Sequence, residues 1–482
     1  MPFNYLHKMM AVPRAASTCE PVDPSNNLTD RLNTLLNSSG SGYVLSLCPS
    51  TQYFLQAPLL FYSPNQEIST LGYPTDDTRA TLVVNGTVTN GTGQSTAVDG
   101  TCANCNGVIL RNVQINGMRA GALPIAGGAN IEMGGPTSGQ LIEYVHSWDP
   151  KSWSCLHIAE GSSNCNNATV QNNDIGPSGS DLFQQWADGI SVACSNSIVR
   201  NNMINNPTDG GIVLFGSPGT LVENNTIWVE NNTLLGGINM VDVTPYGGDY
   251  KGVVVKNNTI MGGFATSSDT GSATDGTNNQ DVIIKIGIAI GPRTWFGPEY
   301  LNNISTGGTV INNQLTGAFS YGIAISSASN FTIENNVLIG NTSFIGARGP
   351  NCTTGDPTPS PAPFVMDINN TAQSTTQTDF QTNTDGDSLT CVLPPDGGDY
   401  WPFGGNPSTS GSPTTGSSPS TSSHTSTGTI VGIVIGVIAG ILFVALAAWY
   451  IRKWALKRAE DRSHFKDTRQ VQKGYIRSKE QF

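Results

Sequence analysis

The chain has 482 residues, 55 of them Gly, with 12% charged residues and a formal net charge of −12. An acidic chain of this kind excludes nucleic acid as a natural partner and points instead to a turn-rich, strand-rich extracellular body. All nine cysteines and every N-x-S/T sequon precede residue 392, which agrees with an oxidising, glycosylating compartment.

Residues 1–18 contain Met9, Met10, Ala11 and Val12 but no continuous apolar core of signal-peptide length. They read as an unstructured or incomplete signal region, with the true start expected upstream. Residues 27 to 39 place Leu28, Leu32, Leu35 and Leu36 on one helical face. Strands are expected at Tyr43 to Leu47 and Gln52 to Leu55, so the helix would cover the open end of a strand-built body.

The central part of the chain is a repeat. The phrase V-x-N-N-x-I starts at Val170, Val199, Val222, Val255, Val310 and Ile333, with weaker copies at Leu110 and Ile142. A second phrase precedes the copies: Gly189-Ile190, Gly211-Ile212, Gly237-Ile238, Gly287-Ile288 and Gly322-Ile323, with Asn130-Ile131 and His157-Ile158 in the equivalent earlier places. Ile190 and Ile212 are 22 residues apart, enough for three short strands and three turns. Such a period specifies a solenoid of parallel coils. Asn at a recurring bend tolerates left-handed backbone and offers its amide to the next coil, so an asparagine ladder is expected inside the wall.

On these repeats the chain resembles the pectin-lyase-like superfamily in the form carried by fungal membrane-anchored cell-surface proteins. The resemblance implies an all-β fold, a single-stranded right-handed parallel β-helix with an N-terminal capping helix, over residues 19–350. It leaves activity open, because that fold hosts lyases, hydrolases, epimerases, esterases and non-catalytic adhesins.

Beyond the repeats, residues 351–405 are expected to wrap the far end, the stop being marked by Pro357, Pro359, Pro361 and Pro363. Residues 406–428 are almost wholly Ser, Thr, Gly and Pro and read as a disordered, O-glycosylated stalk. Within residues 429–451, the run Ile430 to Ile451 holds 22 uncharged residues, long enough for one transmembrane helix. The tail, 452–482, carries 10 Lys/Arg against 4 Asp/Glu, which places it in the cytoplasm and leaves 13 against 31 before it. The expected location is the cell surface, single-pass, with the acidic body outside.

Short-range disulfides are expected at Cys19–Cys48, Cys102–Cys105, Cys155–Cys165 and Cys352–Cys391, with Cys194 a buried free thiol. Candidate glycosylation sites include Asn27, Asn37, Asn85, Asn90, Asn303, Asn330, Asn341 and Asn351. Asn224 and Asn257 also head sequons, but they sit in the ladder phrase, where the wall is expected to occupy the amide.

Departures from the usual step locate loops. Ile238 to Val255 is 17 residues and Ile288 to Val310 is 22, against about 10 in most copies, and both insertions should fall at one corner of consecutive coils. They carry Tyr246, Asp249 and Tyr250 in one, and Arg293, Trp295, Phe296 and Tyr300 in the other, a set suited to stacking on sugar rings. Ser267 to Asp281 is a third insertion, at another turn.

Candidate acid-base groups cluster at His146, Asp149, Lys151, His157 and Glu160. The stretch Trp148 to Lys151 resembles the Asp-Pro-His motif of alginate epimerases, with Lys151 where that motif has His. Asp188, in Ala187-Asp188-Gly189-Ile190-Ser191, resembles the first acidic motif of polygalacturonases, and Asp209 follows one coil later. Ser191 stands where the second carboxylate is expected, and Asp-Asp and Gly-His-Gly are missing. Arg200 or Arg293 would be the base of a lyase, in which case Ca²⁺ is a possible cofactor; otherwise no cofactor or metal is implied.

The incomplete motifs favour a non-catalytic surface module that binds or organises cell-wall or environmental polysaccharide. The alternative is a membrane-anchored lyase, hydrolase or epimerase of the same fold. The acidic body suits a neutral glycan better than a polyuronate.

Overall fold

The computed structural model describes residues 18–119, 124–179, 186–230, 233–263, 283–296, 303–344, 347–348, 362–384, 386 and 391–392. The expected stalk, membrane span and tail, the Ser267 to Asp281 insertion, Tyr300, Asn351 and the Cys352–Cys391 pairing lie outside these residues.

The strands stack in parallel into three walls. One coil runs through Ile198–Arg200 in wall one, Met203–Asn205 in wall two and Gly210–Leu214 in wall three, and then rises to Leu221–Glu223 beside its own start. In wall one Leu110, Ile142, Val170, Val199, Val222, Val255, Val310 and Ile333 stand in register, so the weaker copies belong to the same stack. Wall two aligns Ile175, Ile204, Ile227, Ile260 and Leu315. Walls two and three merge at one point, because the strand Gln314–Ile325 begins in the first and ends in the second with no loop between.

The V-x-N-N-x-I phrase divides labour within its Asn pair. The first Asn makes the bend: Asn172, Asn201, Asn224, Asn257, Asn312 and Asn335 have φ of 54–56°, a left-handed conformation that Asn adopts more readily than other side-chain-bearing residues. The second turns inward. The amides of Asn173, Asn202, Asn225, Asn258 and Asn313 each donate to the carbonyl oxygen of the next at 2.9 Å. Their other N–H goes to a main-chain carbonyl of the preceding coil, as from Asn225 to Val199 at 3.0 Å. Asn336 ends the series on Gln377, whose Oε1 accepts at 3.3 Å. Asn224 and Asn257 are therefore exposed bend residues rather than ladder members, and their sequons lie open. Asn27, Asn37, Asn85, Asn90, Asn303, Asn330 and Asn341 are exposed too.

The Gly-Ile phrase has a steric cause. A Cβ on Gly211 would lie 2.5 Å from the Gly237 carbonyl oxygen and 2.7 Å from Ile227 Cγ2, and Gly189, Gly237, Gly287 and Gly322 meet the same obstacle one coil on. Ile190, Ile212, Ile238, Ile288 and Ile323 follow in register and fill the core. In the earlier coils the counterpart of Ile190 is Leu156, itself paired with Ile131. His157-Ile158 is thus two residues out of step with the phrase, and Cys155 takes the glycine position.

That placement corrects the disulfides. Cys19–Cys48 and Cys102–Cys105 form as expected, but Cys165 joins Cys194, at 4.8 Å between Cα atoms. Cys165 and Cys194 occupy the same corner of successive coils, whereas Cys155 lies in the core as a free thiol, its ionisation pushed up to about 12 by burial.

The helix Leu28–Ser38 closes the first coil. Leu28, Leu32 and Leu36 are buried against it, and Asn33 satisfies the wall edge by accepting from Leu60 N–H at 2.8 Å and donating to Pro58 O at 2.9 Å. At the other end the stack continues past the proline run: Ala362–Asp367 extends wall three, while Thr371–Ala372 and Thr375–Thr376 extend wall one. Replacing Asn258 by Ala would orphan the amide of Asn225 and the carbonyl of Val222. Urea denaturation of Asn258→Ala is expected to show a loss of about 3 kcal/mol, with exchange of the neighbouring coils' amide protons accelerated most.

Candidate functional site on the third wall

Wall three differs from the others on its outer face. Each coil there has two successive inward residues, Gly211 and Ile212 in one, so the positions that flank them, Gly210 and Val213, share the outer face. A Cβ on Gly210 would touch Val213 Cγ2 at 2.2 Å, Asn239 Nδ2 at 2.9 Å and Asp188 Oδ1 at 3.0 Å. The outer column running up this wall is Glu132, His157, Ser191, Val213, Asn239 and Ala289.

Three carboxylates converge here. Asp188 is 5% exposed, receives Ser191 Oγ–H at 2.8 Å and Gly210 N–H at 2.9 Å, and Ser191 in turn shares a hydrogen bond with Ser154 at 3.0 Å. Burial, then the charge of Asp209, raises its proton affinity well above that of an ordinary carboxylate, while the Ser191 and Gly210 hydrogen bonds oppose the rise. Asp209, partly exposed one coil on, is raised to about 6 by burial, and Lys285 pulls the other way. Asp242 is raised to about 7, first by burial and then by Asp209. Lys285, fully buried, is itself depressed by burial and partly restored by Asp209.

The two long insertions do lie side by side. Thr306 N–H donates to Gly248 O and Tyr250 N–H to Thr306 O, each at 2.8 Å, and Asp249 and Thr306 form an isolated bridge. The expected sugar-stacking set separates, however. Tyr250 is a core residue, fully buried, donating to Leu214 O at 2.7 Å. Asp249 caps its own loop by accepting from Lys251 N–H. Tyr246 reaches back to Ala193 O at 2.9 Å, near enough to Glu160 for that charge to raise its phenol, after the larger effect of burial. Arg293 opens the short helix Arg293–Phe296, and Trp295 from the same helix packs on the outer face, 2.9 Å from the position a Gly236 Cβ would take.

The His146 to Glu160 run also splits. His157 belongs to wall three, its Nδ1 2.7 Å from Glu132 Oε2. His146 faces out of wall two between Gln114 and Asp174, against Trp148 with 4.4 Å between ring centroids. Asp149 sits at a bend with φ of 49°, paired electrostatically with Arg119, and Lys151 Nζ donates to Val84 O at 2.7 Å. The corner between residues 149 and 153 carries the chain from one wall to the next, so proximity in sequence is lost in space. Arg200 lies on wall one, bound to Gln171 Oε1 at 2.8 Å. Asp242 had no motif to reveal it; its only signal was a place inside the 17-residue insertion. Among the described residues no set of three or more His, Cys, Asp or Glu is arranged to hold a metal ion.

Residues 138–290 match the family model described as the right handed beta helix region. No curated protein matches the chain in sequence. Among solved structures, DFA-IIIase from Arthrobacter chlorophenolicus A6 in complex with GF2 is similar at 12% identity and a TM-score of 0.44, covering 74% of this chain and 89% of that one. The A-module of mannuronan C-5 epimerase AlgE4 from Azotobacter vinelandii is similar at 10% identity and 0.43, covering 78% and 90%. The catalytic domain of a GH87 alpha-1,3-glucanase in complex with nigerose gives 12% and 0.42, covering 78% and 70%. Likenesses this distant carry no argument about activity.

The carboxylates make a prediction about stability. Asp242 keeps its proton to a higher pH folded than unfolded, so its contribution is greatest in acid and is lost as pH rises through about 7. Asp242→Asn is therefore expected to melt several degrees above the wild type near pH 8, with the gap closing near pH 4 in parallel thermal scans.

Proposed function

With a right-handed parallel β-helix of the pectin-lyase-like superfamily as the scaffold, we propose that this protein is a cell-surface enzyme cleaving a neutral polysaccharide on the outer face of wall three. The observation that carries this reading is the convergence of Asp188, Asp209 and Asp242 on one face, each with raised proton affinity and two of them partly exposed.

Buried carboxylates with proton affinities near neutrality are costly to fold around and are concentrated where acid-base work is done. Lys285 pulls the proton affinity of Asp209 down while the charge of Asp209 pushes that of Asp242 up, so Asp209 is the base of the pair and Asp242 the acid. In glycoside hydrolysis the Asp242 proton passes to the leaving glycosidic oxygen as its bond to the anomeric carbon breaks. Asp209 takes a proton from the water that forms the new bond to that carbon. Asp188, fixed by Ser191 and Gly210 and made reluctant to ionise by burial and by Asp209, serves to bond substrate hydroxyls. A neutral glycan is preferred because a body this acidic repels polyuronates. Anchoring through the run Ile430 to Ile451 would hold the enzyme at the surface whose glycans it meets.

Incubating the protein with a panel of neutral polysaccharides should release new reducing ends. kcat/KM is expected to rise with pH through about 6 and fall through about 7. Asp209→Asn and Asp242→Asn should each lower kcat by about 100-fold or more. Glycan binding with no product from any substrate would instead establish a non-catalytic surface module.

A further inference from the structure

We infer that a second sugar-binding subsite lies on wall three beside the carboxylates, built by Trp153, His157 and Phe215, so that a glycan lies along the solenoid axis across several coils. The inference rests on the glycan-cleavage reading for its substrate class, but its geometry is separate.

His157 is the centre of this subsite. Its Nδ1 is held by Glu132 Oε2 at 2.7 Å, and the other oxygen of Glu132 accepts Ala129 N–H at 2.6 Å, so both side chains of the pair are fixed before any ligand arrives. Trp153 meets the imidazole edge-on at 4.8 Å between centroids, and Phe215 is edge-on to it at 6.5 Å. All three rings are left partly exposed on a face whose inward neighbours Leu156, Ile158 and Leu214 are fully buried. Aromatic faces next to a fixed polar group are what a sugar ring offers partners for: the rings take its C–H face and the imidazole a hydroxyl.

The subsite abuts the carboxylates by register. His157 pairs with Ser191, which bonds Asp188, and Trp153 O accepts Asp188 N–H at 2.8 Å. With coils about 4.8 Å apart, Trp153 and His157 stand one coil before Asp188 and two before Asp209. That offset is of the order of one or two sugar rings, which makes the subsite a reader of chain length rather than a part of the cleavage machinery.

The test is calorimetric titration of the full chain with linear gluco-oligosaccharides from disaccharide to hexasaccharide, in both the β-1,3 and β-1,4 series. Wild type should bind the hexasaccharide of its preferred series far more tightly than the disaccharide. Trp153→Ala and His157→Ala should each weaken hexasaccharide binding about tenfold and leave the disaccharide unchanged, and Phe215→Leu, which keeps an apolar side chain but removes the ring, should do so to a smaller degree. Equal loss at every length, no loss at all, or a wild type that binds none of the series would overturn the subsite. Length-dependent binding without any hydrolysis would uphold it while removing the catalytic reading, so the two fail separately.

Discussion

Everything in this molecule depends on the coils staying in register, and the buried asparagine column is what holds them there. Each amide in the series from Asn173 to Asn336 bonds the one in the next coil and a backbone carbonyl in the last. A slip of one residue between coils would strand a row of amides in the core, where unmet hydrogen bonds are expensive. Hydrophobic burial acts in the same direction, since a one-residue slip would also turn the inward Val and Ile of each wall outward.

Once register is set, chemistry can be distributed over several turns of the chain and still converge. Asp188, Asp209 and Asp242 are far apart in sequence but belong to consecutive coils, and the paired inward residues of wall three aim their surroundings at one place. The electrostatic consequence comes from packing: carboxylates gathered on a poorly solvated face resist ionisation, and each charge makes the next harder to form. Lys285, buried from a later coil, biases the set toward one ionised member.

The fold was legible because a solenoid writes its geometry into repetition. The V-x-N-N-x-I phrase foretold wall one, the bend and the ladder, and its irregular spacing foretold two loops that meet at Asp249 and Thr306. The site was legible only where it shared that repetition. Asp188 and Asp209 precede Gly positions and stand out for that reason, whereas Asp242 lies past the end of its strand in an insertion that resembles nothing else in the chain. His146 and His157 resemble one cluster because eleven positions is close in sequence, yet about half a coil separates two walls. The cysteines mislead for the same reason: stacking brings together residues one coil apart, as in the 29-residue separation of Cys165 and Cys194, sooner than nearer ones on the same turn.

The glycine column of wall three also bears on how such a protein can change over time. Inside that wall the α-hydrogens of Gly189, Gly211, Gly237, Gly287 and Gly322 each face the carbonyl of the following coil, so a side chain at any of these five positions would displace two coils together. Outside, the column from Glu132 to Ala289 is partly exposed at Glu132 and His157 and covered from Ser191 on. Variation is thereby channelled to the partly exposed start of that column, where it alters recognition, and the architecture can be inherited intact while its specificity drifts.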